Sequence, residues 1–211
     1  MLIWALIPSR HGLTALGMNV ILCVRLFNMD NKKLLELTLH IAHKAGTDGY
    51  LGKTKLNKIL FLIDFHYYFH KGKSITGQKY IHLPYGPVPK NMDKIHKMKD
   101  DIVFQETSIA GYKQHKSIPL RDADVSMFSQ EELKFIDEVI DILCHKRKIP
   151  AKTLSDDSHD YLGYAMTENG QEIPYNTIFL EKTSKQKVTP AEKIHAFKLR
   201  KELGESYGFE Q

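Results

Sequence analysis

Cysteine is scarce: there are two in 211 residues, Cys23 and Cys144, far apart and outside any CxxC. Neither a disulfide framework nor a thiolate zinc site is indicated, and a reducing, cytoplasmic setting is expected. Long apolar runs are missing as well. Residues 1–28, MLIWALIPSRHGLTALGMNVILCVRLFN, hold two apolar stretches. Pro8, Ser9, Arg10 and His11 divide them, so neither reaches the roughly 18–20 residues that a bilayer-spanning helix needs. The same segment lacks the basic start and small-residue cleavage site of a secretory signal. No internal repeat is visible. What is present, 42% hydrophobic and 26% charged residues, excludes disorder throughout and suffices to bury one sizeable core. A net charge of +5 and a pI near 9.0 permit contact with nucleic acid or an acidic protein, but describe solubility and encounter more than function.

Met29 opens MDNKKLLELTLHIAHKAG like a fresh start. Asp30 or Asn31 is placed to cap a helix whose stripe is Leu34, Leu37, Ile41 and Ala45. The expectation is that Met29 is the natural start, or that residues 1–28 are a dispensable extension. Gly46 and Gly49 mark a turn. TKLNKILFLIDFHYYFHKG then places Leu56, Ile59, Leu60, Ile63 and Tyr67 at helical spacing, with Phe61, Leu62, Phe65, Tyr68 and Phe69 filling most of the remaining circumference; such a helix should be central. Gly72 offers its left-handed cap. KYIHLPYGPVPK, residues 79–90, cannot continue a helix because its X-Pro pairs hold Leu83, Gly86 and Val88 extended. KNMDKIHKM is predicted as a short helix and IVFQETSIAGYKQHKSIPL as a hairpin around Gly111. SQEE at Ser129–Glu132 is a capping box before an apolar face of Leu133, Ile136, Val139, Ile140 and Leu143. His145, Lys146, Arg147 and Lys148 suit that helix's negative end. From Pro150 two short helices and a strand-like close are expected. TPAE at Thr189–Glu192 is a second capping box for a last helix, reached through the lysine-rich EKTSKQKV.

Several constellations invite chemistry. GKT at Gly52–Thr54 lacks the earlier glycine of a phosphate loop and follows a helix where that motif follows a strand. His66 and His70, and His40 and His43, have metal-pairing intervals, but no further ligand is marked, so structural histidines are expected and no cofactor is assigned. Ser155, His159 and the carboxylates of SDDSHD are too close in sequence for a nucleophilic triad; capping by Ser155 or Asp156 is the simpler reading. Asp64, inside the apolar helix, should anchor a loop or bind a cation. Lys53, Lys55 and Lys58, with the lysines of the tail, resemble solvated surface more than a nucleic-acid platform.

Taken in order, TKLNKILFLIDFHYYFHKGKSITGQKYIHLPYGPVPKNMDKI, FSQEELKFIDEVID and LSDDSHDYLGYAMTENGQEIPY resemble the Panacea domain, the SocA-like antitoxin family that also includes phage-associated GepA proteins. The shared features are Lys55–Lys58, the ITG turn with its tyrosine-containing strand, the YGPVP loop, and the Ser158-His159 pair before ENGQEIPY. They run across roughly residues 33–180. One departure is visible: Tyr164 stands where a tryptophan is usual. The resemblance implies a mainly α (α+β) compact domain with a central buried helix and a small hairpin or sheet. It further implies an antitoxin, not an enzyme, that neutralises a cognate toxin by direct contact, the toxin being encoded by an adjacent gene. The SocA-type member is similar to a proteolytic adaptor, which adds a protease as a further partner. The expected layout is an extension at 1–28, the SocA-like domain at 29–181 and a basic tail with a short helix at 182–211. The exposed face expected to grip the partner comprises Lys55, Lys58, Tyr80, Tyr85, Gly86, Pro87, Val88 and His159, with YGPVP as a rigid loop against the central helix. The alternative is a DNA-binding repressor with a winged-helix-like unit; nucleic acid is not favoured, and no membrane association is expected.

Overall fold

The computed structural model describes residues 31–109 and 111–180. The expectations for the extension at 1–28, the start at Met29, the tail at 182–211 and the capping box at Thr189–Glu192 lie outside the described residues.

Helix α1 covers residues 31–44, and its stripe of Leu34, Leu37, Ile41 and Ala45 is fully buried. A turn leads to Gly52, whose backbone bridges Lys116. Helix α2, Lys53–Lys71, then runs through the core, buried continuously from Ile59 to Tyr67 and packed against elements on several sides. An aromatic and aliphatic surface around the whole circumference makes this the only low-energy place for it. It begins at Gly52 without a side-chain cap and ends at Gly72, where a left-handed φ of 68° lets the glycine N–H donate to the Tyr68 carbonyl. The GKT segment is thus a helix start that follows α1 and a turn.

Three two-residue strands form one antiparallel sheet in the order β2–β1–β5: β1 is Tyr80–Ile81, β2 Val88–Pro89 and β5 Glu172–Ile173. Pro89, which has no N–H to give, occupies the edge strand β2 opposite Tyr80, as its chemistry requires. Helix α3, Met92–Ile95, follows. A separate hairpin pairs β3, Ile102–Ile109, with β4, Tyr112–Pro119, in unbroken register around Gly111. Arg121 at its exit donates two hydrogen bonds of 2.8 and 2.9 Å to Glu36 on α1 and one of 2.5 Å to Asp101, fastening the hairpin to the first helix.

Helix α4, Gln130–Ile140, starts at the expected capping box: the Glu132 amide donates to Ser129 Oγ at 3.1 Å, and the Ser129 amide donates to Glu132 Oε2 at 2.9 Å. It continues as a wider π-helical turn over Asp141–Lys146, in which Arg147 N–H reaches back five residues to the Ile142 carbonyl. Helices α5, Ala151–His159, and α6, Leu162–Ala165, precede β5 and a 3-10 turn over Tyr175–Phe179. The structure is therefore the mainly α, α+β domain with a central buried helix and a small sheet that the sequence implied.

Asp64, fully buried in α2, anchors the chain that follows the helix. Its carboxylate accepts from the amides of Ile75 and Thr76, both at 2.9 Å, from the Thr76 hydroxyl, and from the Tyr80 hydroxyl at 2.8 Å. Burial pushes its pKa up while these donors pull it down. Asp64→Ala leaves four buried donors without an acceptor. A loss of about 3–5 kcal/mol in urea-unfolding stability is expected, at the upper end of single-residue effects.

Candidate partner-binding site

The YGPVP loop is held by side chains from three helices. Gly86 N–H donates to the Leu83 carbonyl at 2.8 Å, closing a β-turn with Pro84 in the position where its fixed φ is pre-set for the turn. Prolines at 84, 87 and 89 remove backbone donors, so the loop's carbonyls look outward for partners. Ser155 Oγ on α5 donates to the Tyr85 carbonyl at 2.9 Å, Tyr164 Oη on α6 to the Leu83 carbonyl at 2.8 Å, and Lys58 Nζ on α2 to the Pro87 carbonyl at 3.0 Å. Gly86 adopts a φ of 92°. A Cβ there would lie 2.5 Å from Ser158 Oγ and 2.8 Å from Lys58 Nζ, so only glycine lets the turn approach this closely. The backbone is pinned while Tyr85 projects at its tip with 78% of its surface exposed.

The exposed face expected from the sequence is smaller than its eight residues. Lys55, Lys58 and Tyr80 are buried, not exposed; Gly86 and Pro87 are buried, and Val88 and His159 are half-buried. Tyr85 alone of the eight stands fully in solvent. The physical reason is that each buried polar tip has an interior partner. The Lys55 amine pairs with the Asp48 carboxylate and reaches the Leu143 carbonyl at 3.3 Å, and the Tyr80 hydroxyl donates to Asp64. Lys58 has the Pro87 carbonyl but, among the described residues, no carboxylate within ion-pair distance. Burial lowers its pKa to about 7.

Behind the loop, Tyr164 lies against two imidazoles. His82 stacks on it at 3.6 Å between ring centroids and His159 at 4.6 Å, with interplanar angles of 17° and 9°. Two nearly parallel rings that close to a third cannot share one of its faces, so Tyr164 is sandwiched. His82 Nδ1 also meets the Tyr164 carbonyl at 3.1 Å. Burial and the nearby Lys58 charge both lower the His159 pKa. The sequence does not mark His82 and His159 as a unit; Tyr164, where a tryptophan is usual, is the one available signal.

The remaining candidates separate. His66 Nε2 is hydrogen-bonded to the Tyr161 hydroxyl at 2.6 Å, His40 Nε2 donates to Asp137 at 2.7 Å and His43 Nε2 to the Arg121 carbonyl at 2.8 Å. Among the described residues no three His, Cys, Asp or Glu side chains converge as metal ligands. Ser155 and Asp156 do not cap a helix, because α5 already starts at Ala151, with Pro150 in the N-cap position, and both sit within it. Burial pushes the Cys144 thiol up to about 12, which leaves it unreactive at neutral pH. Among the described residues no helix is long and apolar enough to cross a membrane.

No curated protein and no solved structure matches the chain. The family model described as antitoxin SocA-like, Panacea domain, matches residues 56–161, half of the chain and the stretch that runs from α2 through the YGPVP loop to the Ser158-His159 pair; the chain belongs to the SocA-like antitoxin family with the Panacea domain.

Proposed function

We propose that the chain is an antitoxin that neutralises a cognate protein toxin, encoded by an adjacent gene, through direct contact and without catalysis. Family membership supports the general role. The observation that carries the specific reading is Tyr85, 78% exposed, on a turn whose backbone is fixed from three sides. A tyrosine on a pre-ordered turn buries a large area with little further loss of freedom, which is what an interface anchor requires. Lys58, Pro87, Val88 and His159 then act beneath the contact surface as supports, while Lys55 and Tyr80 hold the frame.

Co-expression with the product of the neighbouring gene tests this. Growth rescue and a co-purifying complex are expected; a harmless neighbour and no complex would end the reading. Tyr85→Ala should weaken the complex at least tenfold, about 1.4 kcal/mol or more, with an unchanged circular-dichroism spectrum. An adaptor role, in which the bound toxin is passed to a protease, predicts a shortened toxin half-life in cells holding both proteins, and an unchanged half-life refutes it. The working module is proposed as residues 29–181, so a version starting at Met29 should fold and neutralise.

The rival repressor reading has less in its favour. At the hairpin, Lys113 is already paired with Glu106 at 3.0 Å, and Lys53 lies 5.0 Å over the Phe104 ring. Binding to promoter DNA that weakens steeply with salt would restore it.

A further inference from the structure

The Pro87 carbonyl rests on an amine that, among the described residues, has no counterion, and the same short turn carries Tyr85. Lys58 is 1% exposed. A neutral amine is satisfied there by a single donated bond at 3.0 Å, whereas an ammonium has three donors and a full charge to place in an apolar interior. The groups around it offer no compensation. On α5, Ser155 and Ser158 are neutral, and Ser158 Oγ already donates to the Ser155 carbonyl at 2.7 Å. His159 on α5 is disfavoured as a cation first by its burial, then by Lys58 itself and by His82 next to β1. Tyr164 on α6 is a neutral phenol. Asp156 and Asp160 on α5 act on His159 at a distance, and on α2 itself Lys55 is committed to Asp48. A proton arriving at Lys58 therefore has one obvious outlet, which is for the turn to lift and let the amine reach water.

We propose that the Leu83–Val88 turn is a proton-coupled latch: with the Lys58 amine neutral the turn is shut and Tyr85 is held in place, and proton uptake by Lys58 favours lifting of the turn. The inference builds on the partner-contact reading only for its biological consequence, since the latch is a property of the free protein. Its sign follows from linkage. The shut state holds the amine near 7, while a lifted turn returns it to about 10.4. Between these values each unit of falling pH raises the lifted population about tenfold, and below the lower one the effect levels off.

Amide exchange on the full-length free protein, corrected for the intrinsic pH dependence, reads this at Gly86, whose N–H is bonded to the Leu83 carbonyl. Protection at Gly86 should fall about fiftyfold from pH 9 to pH 7 and flatten below pH 6. It should stay well below the protection of the Leu60 amide in α2, which reports global opening. The NMR titration of the Lys58 Cε signal should have its midpoint near 7. Lys58→Met should abolish the Gly86 slope, while His82→Gln and His159→Gln keep it. A Lys58 midpoint above about 9.5, close to the free lysine value, overturns the proposal, as does a Gly86 amide exchanging no faster than Leu60 or a slope that survives Lys58→Met. Should Lys58→Met not fold, the two wild-type measurements still decide. Loss of toxin binding alters none of these readouts, so the two readings fail separately.

Discussion

Gly86→Ala should cost about 3 kcal/mol or more in unfolding stability and loosen the partner-facing turn at the same time. Two terms add. A left-handed backbone position costs a non-glycine residue about 1–2 kcal/mol, and forcing a methyl group into a filled site costs about 1–3 kcal/mol. The second term is large because the obstructing atoms, Ser158 Oγ at 2.5 Å and Lys58 Nζ at 2.8 Å, are themselves engaged. Ser158 is tied to the Ser155 carbonyl and Lys58 to Pro87. Gly72→Ala supplies the control. It has a similarly positive φ of 68°, but nothing lies within 4 Å of the added Cβ, so about 1–2 kcal/mol is expected from the backbone alone. Chemical denaturation of both variants separates the terms: equal losses would mean that the contact beneath the turn carries no energy.

Asp48→Ala should be comparably severe, about 3–5 kcal/mol. The side chains of Lys55 and Asp48 are 0% and 2% exposed, and removing the carboxylate strands an ammonium whose other contact is the Leu143 carbonyl at 3.3 Å. The double variant Asp48→Leu, Lys55→Met removes both charges and fills the space with apolar atoms. Most of the loss should return, because a buried pair contributes little once its desolvation is counted. A double variant as unstable as Asp48→Ala would show instead that the pair itself favours the fold.

How far the sequence could be read differs by feature. The hairpin around Gly111, the capping box at Ser129 and the cap at Gly72 depend on neighbours within a few residues, so their signals are complete locally. The central position of α2 was equally legible, since an apolar surface on all sides has one destination. Lys55 and Lys58 were misread as surface residues because lysine is ordinarily solvated, and their burial is set by distant groups. The Pro87 carbonyl is 29 residues from Lys58, and the Leu143 carbonyl is 88 from Lys55. The sheet that joins β1 to β5 was hidden for another reason. Its strands are two residues long, too short to show any alternation. The sandwich of His82, Tyr164 and His159 likewise brings together rings that no local pattern relates. For the partner-facing turn, the proline spacing announced rigidity, but which side chain would point outward was decided by contacts from α2, α5 and α6.

The wide turn at Asp141–Lys146 bears on how this chain tolerates changes of length. Because Arg147 N–H passes over the Leu143 carbonyl and bonds to Ile142, that carbonyl is released to accept from Ile149 N–H at 2.9 Å and from Lys55 at 3.3 Å. Shortening the segment by one residue would permit an ordinary helix, in which the released oxygen would be taken up by a helical amide and lost to the lysine. A nominal irregularity thus fixes the spacing between α4 and α5, and relatives that differ in length here should also differ at position 55.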